Sequence, residues 1–341
     1  MRLLVTGGAG FIGSTFVARR LRATADTIVV LDKLTYAGSR ENLAEVEADA
    51  ALEPRLTFVH GDICDANLVG PLVADTDGVV NFAAETHVDR SISSADDFLR
   101  TGVMGVNVLL DAARANGRRL VQVSTDEVYG TIESGAASEE AQIAPRSPYA
   151  AAKAAGDLLC LAYHVTHGTD VVISRGANTY GPRQHPEKLV PLFITNALEG
   201  EALPLYGDGR QRRDWLFVDD HADAIALLLD RGEPGGVYNV PGGDERVNRA
   251  VAEQILAATG KPASLLRSVD DRPGHDRRYA MTGARLAALG WQPHVMFDDG
   301  LAQTVAWYAA NRDWWQRARG ADWADYYERQ YGRRLAESTP A

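Results

Sequence analysis

The chain has 341 residues, 45% of them hydrophobic and 24% charged, with 35 basic against 46 acidic side chains and a net charge of −11. That balance describes a globular protein of about two domains, or one large domain with an appended lobe, and it argues against a nucleic-acid binder, which would turn a basic face to phosphates. The two cysteines, Cys64 and Cys160, match no disulfide framework or ligand spacing, the opening Met1–Val5 run reaches glycine too early for a secretory leader, and no run of about 18 apolar residues occurs; the expectation is a cytoplasmic protein with no metal and no membrane partner.

Arg2–Thr6 reads as a first strand, feeding Gly7-Gly8-Ala9-Gly10-Phe11-Ile12-Gly13 and then a helical pattern with Phe16, Val17 and Leu21. Further apolar runs follow at Thr27–Asp32, Leu56–Asp62, Gly78–Ala84, Leu120–Asp126 and Asp170–Asn178, separated by helix-length segments. Strands apolar on both faces, alternating with helices, predict an α/β fold with a doubly wound parallel sheet. Phe98–Asn116 predicts a helix apolar almost all round, closed by a left-handed Gly117. Ser147 as N-cap and Pro148 at the first helical position open a second helix, running to about His167. Both helices are candidates for a subunit interface, and a homodimer is expected. Beyond Gly181 the alternation fades, and five of the six tryptophans crowd into the last 51 residues, so a smaller C-terminal α/β lobe is predicted. The expected boundaries are 1–180 for the first domain and 181–341 for a discontinuous lobe. Residues 215–240 are expected to return to the first domain, because Trp215–Ala224 reads as a strand followed by a helix.

Gly7-x-x-Gly10-x-x-Gly13 follows a strand and opens a helix, which lets backbone approach a pyrophosphate while the helix N-terminus favours the anion. Asp32 ends the second strand 19 residues after Gly13, where a carboxylate accepts hydrogen bonds from an adenosine ribose. It would repel a 2′-phosphate, which favours NAD over NADP, although Lys33 beside it acts the other way. Tyr149-x-x-x-Lys153 puts both side chains on one helical face, and a nearby ammonium would lower a phenol pKa that is ordinarily about 10. Ser124-Thr125-Asp126-Glu127 places two adjacent carboxyl groups at the carboxyl end of a strand, where open α/β sheets bind ligands. Hydride transfer gains nothing from such a pair. An elimination does, because one group must protonate a departing hydroxyl while the other removes a carbon-bound proton. Arg210, Arg212 and Arg213 form one basic cluster and Arg267, Arg272, Arg277 and Arg278 another, flanking Asn248, and guanidinium groups suit phosphate oxygens. His164-x-x-His167 lacks a third ligand and reads as surface; Asp219-Asp220-His221 reads as a helix start.

The glycine turn, Ser124-Thr125 and the Tyr149-Lys153 helix together resemble the extended short-chain dehydrogenase/reductase superfamily, with its Rossmann-type fold. More specifically, Asp32-Lys33-Leu34-Thr35-Tyr36-Ala37-Gly38, the run Ala83–Ser91, Thr125–Gly130 and Arg272–Tyr279 resemble the dTDP-glucose 4,6-dehydratase family, from the first residues to about residue 310. That resemblance implies NAD as cofactor, contacted by Gly7, Gly10, Phe11, Ile12, Gly13, Asp32, Lys33, Leu34, Thr35, Asp62, Ile63, Phe82, Ala83, Ala84, Thr101, Tyr149, Lys153 and Thr179. It implies a dTDP-glucose substrate contacted by Thr86, Thr125, Asn178, Lys188, Leu189, Pro204, Leu205, Tyr206, Arg213, Asn248, Asp271, Arg272, Pro273, Gly274 and His275. The implied catalytic set is Thr125, Asp126, Glu127, Tyr149 and Lys153, with Tyr149 as base at the sugar C4 hydroxyl, Asp126 as elimination acid and Glu127 as elimination base. Thr179 stands where the family often has Asn, and His185 where it is usually aromatic. A nucleotide-sugar 4-epimerase, which shares the fold, NAD and the Tyr-Lys pair, is the alternative; a non-catalytic NAD-sensing module would predict a broken Tyr-Lys pair, which this chain lacks.

Overall fold

The structure is a computed structural model that describes residues 1–341. Its strands in chain order are β1 (Arg2–Thr6), β2 (Thr27–Asp32), β3 (Leu56–His60), β4 (Gly78–Asn81), β5 (Arg119–Thr125), β6 (Val171–Gly176), β7 (Asn178–Tyr180), β8 (Leu203–Tyr206), β9 (Arg212–Phe217), β10 (Val237–Val240), β11 (Glu245–Val247), β12 (Leu266–Val269) and β13 (Thr339–Pro340). Seven of them form one all-parallel sheet in the order β10-β6-β5-β4-β1-β2-β3. Alternate residues of β1 feed opposite faces: Leu3 and Val5 pack with Phe16, Val17 and Ile225, while Leu4 packs with Leu109, Leu110 and Val69. Helix packing on both faces is therefore written into a strand with no polar side.

A second core gathers around Tyr180, Phe193, Trp215, Phe217, Phe297, Tyr308 and Trp315, with two small sheets, β11-β9-β7 and β13-β12-β8. The expected return at 215–240 divides between the two cores. Strand β9 pairs with β7 and β11 in a small sheet, whereas helix Val218–Arg231 packs on helix Phe11–Ala23 and β10 joins the edge of the main sheet. The tryptophan-rich end divides too, since Trp291 joins the first core together with Met281 and Leu286.

The helix expected at Phe98–Asn116 starts at Asp96, widens to π geometry over Arg100–Gly105 and ends at Gly117 with φ +60°. It is not covered all round, because Leu99 and Met104 stand exposed. Its other side meets helix Pro148–His167 backbone to backbone: a Cβ on Gly156 would lie 2.8 Å from the Gly102 carbonyl oxygen. Ser147 caps the second helix by accepting from the Ala150 N–H, with Pro148 at its first position.

Beneath that helix Asp157 accepts from Arg175 Nε at 2.9 Å, with the two side chains 0% and 2% exposed, and Arg175 donates onward to the Tyr129 hydroxyl at 2.8 Å. Asp157→Ala would leave a buried guanidinium unpaired and should cost about 3–5 kcal/mol. Arg19→Ala, at an exposed pair with Asp223, should cost under ~1 kcal/mol. Urea unfolding midpoints at constant slope would measure both.

Candidate active site

The carboxyl ends of β1, β2, β4, β5 and β6 open onto one cavity. At its first end Gly7, with φ +67°, brings the turn so close to β4 that an added Cβ would lie 2.5 Å from the Ala83 nitrogen. Helix Phe11–Ala23 begins there with no side-chain cap and no acidic residue in its first turn, so its opening N–H groups face the cavity uncompensated. Asp32 closes β2, accepting from Ala9 N–H at 2.9 Å and Leu34 N–H at 2.8 Å, and burial raises its pKa. Lys33 is drawn to Asp62 at 3.0 Å.

At the other end Thr125 terminates β5. Its hydroxyl accepts from Glu127 N–H at 3.3 Å and donates to Asp126 Oδ1 at 3.2 Å, while Asp126 Oδ2 is buried without a partner. Burial pushes the Asp126 carboxyl well up, and Glu127 beside it pushes the same way. Burial also raises Glu127, but the cations Arg272, Arg213 and Lys188 pull it back. The two neighbours thus differ in surroundings: Asp126 is raised by burial and by Glu127, whereas Glu127 is faced by three cations. Tyr149 and Lys153 line the same wall, and Lys153 donates to the Val123 carbonyl at 2.8 Å. Burial lowers the lysine to about 8, partly offset by Asp157. The expected lowering of Tyr149 is not what the chain alone produces: burial and then Glu127 raise it, and the ammonium is engaged elsewhere.

All the cofactor residues expected from sequence line this cavity except Leu34, whose N–H is turned onto Asp32 and whose backbone is left-handed at φ 53°. Thr86, Thr125, Asn178 and Lys188 of the expected substrate set line it as well. Leu189, Pro204, Leu205, Tyr206, Arg213, Asn248 and Asp271–His275 do not. Several of those gather in an adjoining cluster, in which the Tyr206 hydroxyl and Arg272 both donate to Asp89, at 2.8 and 2.7 Å, and Gln211 donates to Asp271 at 2.9 Å. Leu205, 1% exposed, packs into the second core, so only its backbone is free to meet a ligand.

The two basic clusters are not maintained. Arg212 and Arg278 pair with Glu245, Arg277 with Asp208, Arg267 donates to Ser338, and Arg210 is exposed; only Arg213 and Arg272 turn inward. Sequence reasoning missed Asp89, which anchors Arg272, although it lies inside a quoted motif. It also missed His221, read as a helix start. Its ring is 2% exposed, lines the cavity, meets the Thr179 hydroxyl at 2.8 Å, and is pushed by burial to about 4, hence neutral.

Residues 4–304 match the family model described as GDP-mannose 4,6 dehydratase. The dTDP-glucose 4,6-dehydratase of Streptomyces niveus is 54% identical over 329 residues, covering 94% of this chain and 97% of that one. The crystal structure of the Streptomyces venezuelae dTDP-glucose 4,6-dehydratase DesIV, with NAD bound, is 53% identical and superposes with a TM-score of 0.90 over 93% of this chain and 100% of that one. The Thermus thermophilus UDP-glucose 4-epimerase complex with NAD superposes almost as well, at 0.83 over 91% of this chain and 100% of that one, but at 33% identity. Backbone shape barely separates the two neighbours; the residues do, and on their evidence the chain belongs to the dTDP-glucose 4,6-dehydratase family.

Proposed function

We propose that the protein catalyses the NAD-dependent dehydration of dTDP-glucose to dTDP-4-keto-6-deoxyglucose, with residues 1–180 and the segment 218–240 holding NAD and the remaining lobe holding the nucleotide sugar. The single observation that carries this reading is the carboxyl pair at the end of β5, Asp126 buried with an unpartnered Oδ2 and Glu127 faced by Arg213, Arg272 and Lys188, in the same cavity wall as Tyr149. An epimerase has no use for it.

The cavity suits NAD: the close glycine turn leaves room for a pyrophosphate at uncapped N–H groups, and Asp32 offers carboxylate lone pairs to a ribose without a 2′-phosphate. Bound there, NAD would accept a hydride from the sugar and return it to the same molecule, so that the net change is loss of water. Tyr149 takes the C4 hydroxyl proton, with Thr125 holding that oxygen. A ketone at C4 acidifies the C5 proton, which Glu127 removes. Asp126, whose carboxyl burial pushes up, gives its proton to the C6 hydroxyl as water departs, and Glu127 would hand its proton back to C5 when the hydride returns to C6. Lys153 would turn its charge toward Tyr149 only on leaving the Val123 carbonyl, and Lys188, Arg213 and Arg272 oppose the burial that raises Glu127.

We also place the protein in the cytoplasm as a homodimer formed through helices Asp96–Asn116 and Pro148–His167. The free thiols Cys64 and Cys160 suit a reducing compartment, and Leu99, Met104, Leu158 and Val165, 48, 62, 54 and 81% exposed, leave an apolar face on the helix pair.

Incubation with dTDP-, UDP- and GDP-glucose, followed by the alkali-induced absorbance of a 4-keto-6-deoxy product, tests the assignment; an epimerised sugar with no such absorbance would replace it. Asp126→Asn is expected to slow water loss by about 10²-fold or more while leaving C4 oxidation measurable, and Tyr149→Phe to suppress oxidation itself. Since Lys153 is charged only below about 8, kcat/KM should fall as pH rises through that value. Sedimentation should give a dimer for the native chain and a monomer for Met104→Glu combined with Leu158→Glu; a native monomer would refute the interface.

A further inference from the structure

Between the glycine turn and the sugar end of the cavity runs the segment Lys33–Gly38, which has no regular secondary structure and leaves β2 through a left-handed Leu34. Lys33, Thr35, Ala37 and Gly38 line the cavity, while Tyr36, the residue between them, does not. Tyr36 instead lies under the guanidinium of Arg90, whose carbon sits 3.9 Å from the ring centroid, with the ring of Tyr326 at 4.6 Å from the same carbon. The edge of His185 meets Tyr36 at 5.5 Å between centroids. Arg90 also donates from Nε to Glu187 at 2.9 Å, and that carboxylate is 0% exposed. Glu187 Oε1 and the Tyr36 hydroxyl are both buried without a satisfied partner. Next to Glu187 in sequence is Lys188, which reaches Thr86 on the segment that carries Arg90.

We propose that Arg90 is a positioning residue: it grips Tyr36 from behind and so latches the Lys33–Gly38 segment over bound NAD, while its bond to Glu187 fixes the same latch to the sugar-facing loop of Lys188. The proposal rests on the reading of this cavity as an NAD site. Its physical basis is that a guanidinium stacked on an aromatic ring while paired to a carboxylate does two jobs that an ammonium cannot do together, because only the planar group offers a face and an edge. A cofactor regenerated within each turnover gains from such a latch, since nothing in the cycle requires its departure.

The test measures NAD carried through gel filtration and the rate at which it leaves afterwards, alongside thermal unfolding. Native protein is expected to retain NAD. Arg90→Lys, which keeps the charge beside Glu187 and loses the stacking plane, should release it about tenfold faster or more. Tyr36→Ala should do the same, and Tyr36→Phe should retain NAD as the native chain does. Native release rates in both Arg90→Lys and Tyr36→Ala would overturn the latch and leave the NAD site standing. Release from Tyr36→Phe as fast as from Tyr36→Ala would also overturn it, because the gripped ring would then not matter. A native chain that neither carries NAD nor takes it up when it is added would instead refute the cofactor reading beneath the proposal. If Tyr36→Ala fails to fold, the Arg90→Lys rate decides alone.

Discussion

Two carboxyl groups adjacent in sequence, one buried and the other half-buried at the cavity wall, cannot both ionise without compensation, and the architecture around Asp126 and Glu127 answers that constraint unevenly. Glu127 looks toward Arg213, Arg272 and Lys188, all contributed by chain beyond residue 180, and the Tyr279 hydroxyl donates to it at 3.3 Å. For Asp126 burial outweighs the pull of Arg213 and pushes the carboxyl well up. Arg272 is in turn fixed by Asp89, from the first half of the chain, at 2.7 Å. A line of alternating charge, Asp89 to Arg272 to Glu127, therefore ties the two halves together at the place where their ligands would meet. The lobe thereby supplies the cations that face a carboxyl group belonging to the other core.

The same economy of reference points holds Tyr149. Lys153, one turn along the helix, is hooked to the Val123 carbonyl of β5, the strand that ends in Thr125 and Asp126. Tyr149 and Asp126 are thus registered against one central strand flanked by β4 and β6. The close contact of Gly102 with Gly156 lets the helix that carries Tyr149 pack backbone to backbone on its neighbour. Precision of this kind comes from buried regular elements, whereas the cofactor-side segment after Asp32 has only side-chain anchors.

What could be read from sequence was local. The bounds of β1 and β2, the Ser147-Pro148 start, the end at His167 and nearly every cavity residue sit in short motifs at strand ends, where neighbours in sequence remain neighbours in space. Direction was not legible. Arg212 and Arg213 are adjacent on β9 and so point to opposite faces; one goes out to Glu245, the other in toward Asp126 and Glu127. Counting arginines by proximity treated them as one cluster. The role of His221 was equally hidden, because its partner Thr179 lies 42 residues away, and an Asp-Asp-His start looks like any acidic first turn. The π widening over Arg100–Gly105 has no periodic signature at all.

The chain carries only four lysines against 31 arginines, and where each type stands has a physical meaning. Of the four, Lys153 is buried and Lys188 half-buried at the cavity wall, where loss of water pulls an ammonium toward neutrality. Arginines occupy the sites where charge must survive burial or stack on a ring: Arg175 on Asp157, Arg272 on Asp89, Arg213 over Tyr279 at 4.2 Å, and Arg90 between two tyrosines. Guanidinium keeps its charge in such places more firmly than ammonium does. Exchanging the two types would therefore fail in both directions. Lysine at 272 would risk leaving Asp89 and Glu127 without a cation, and arginine at 153 would be too broad and too rigidly charged for a slot whose only hydrogen-bond acceptor is a strand carbonyl.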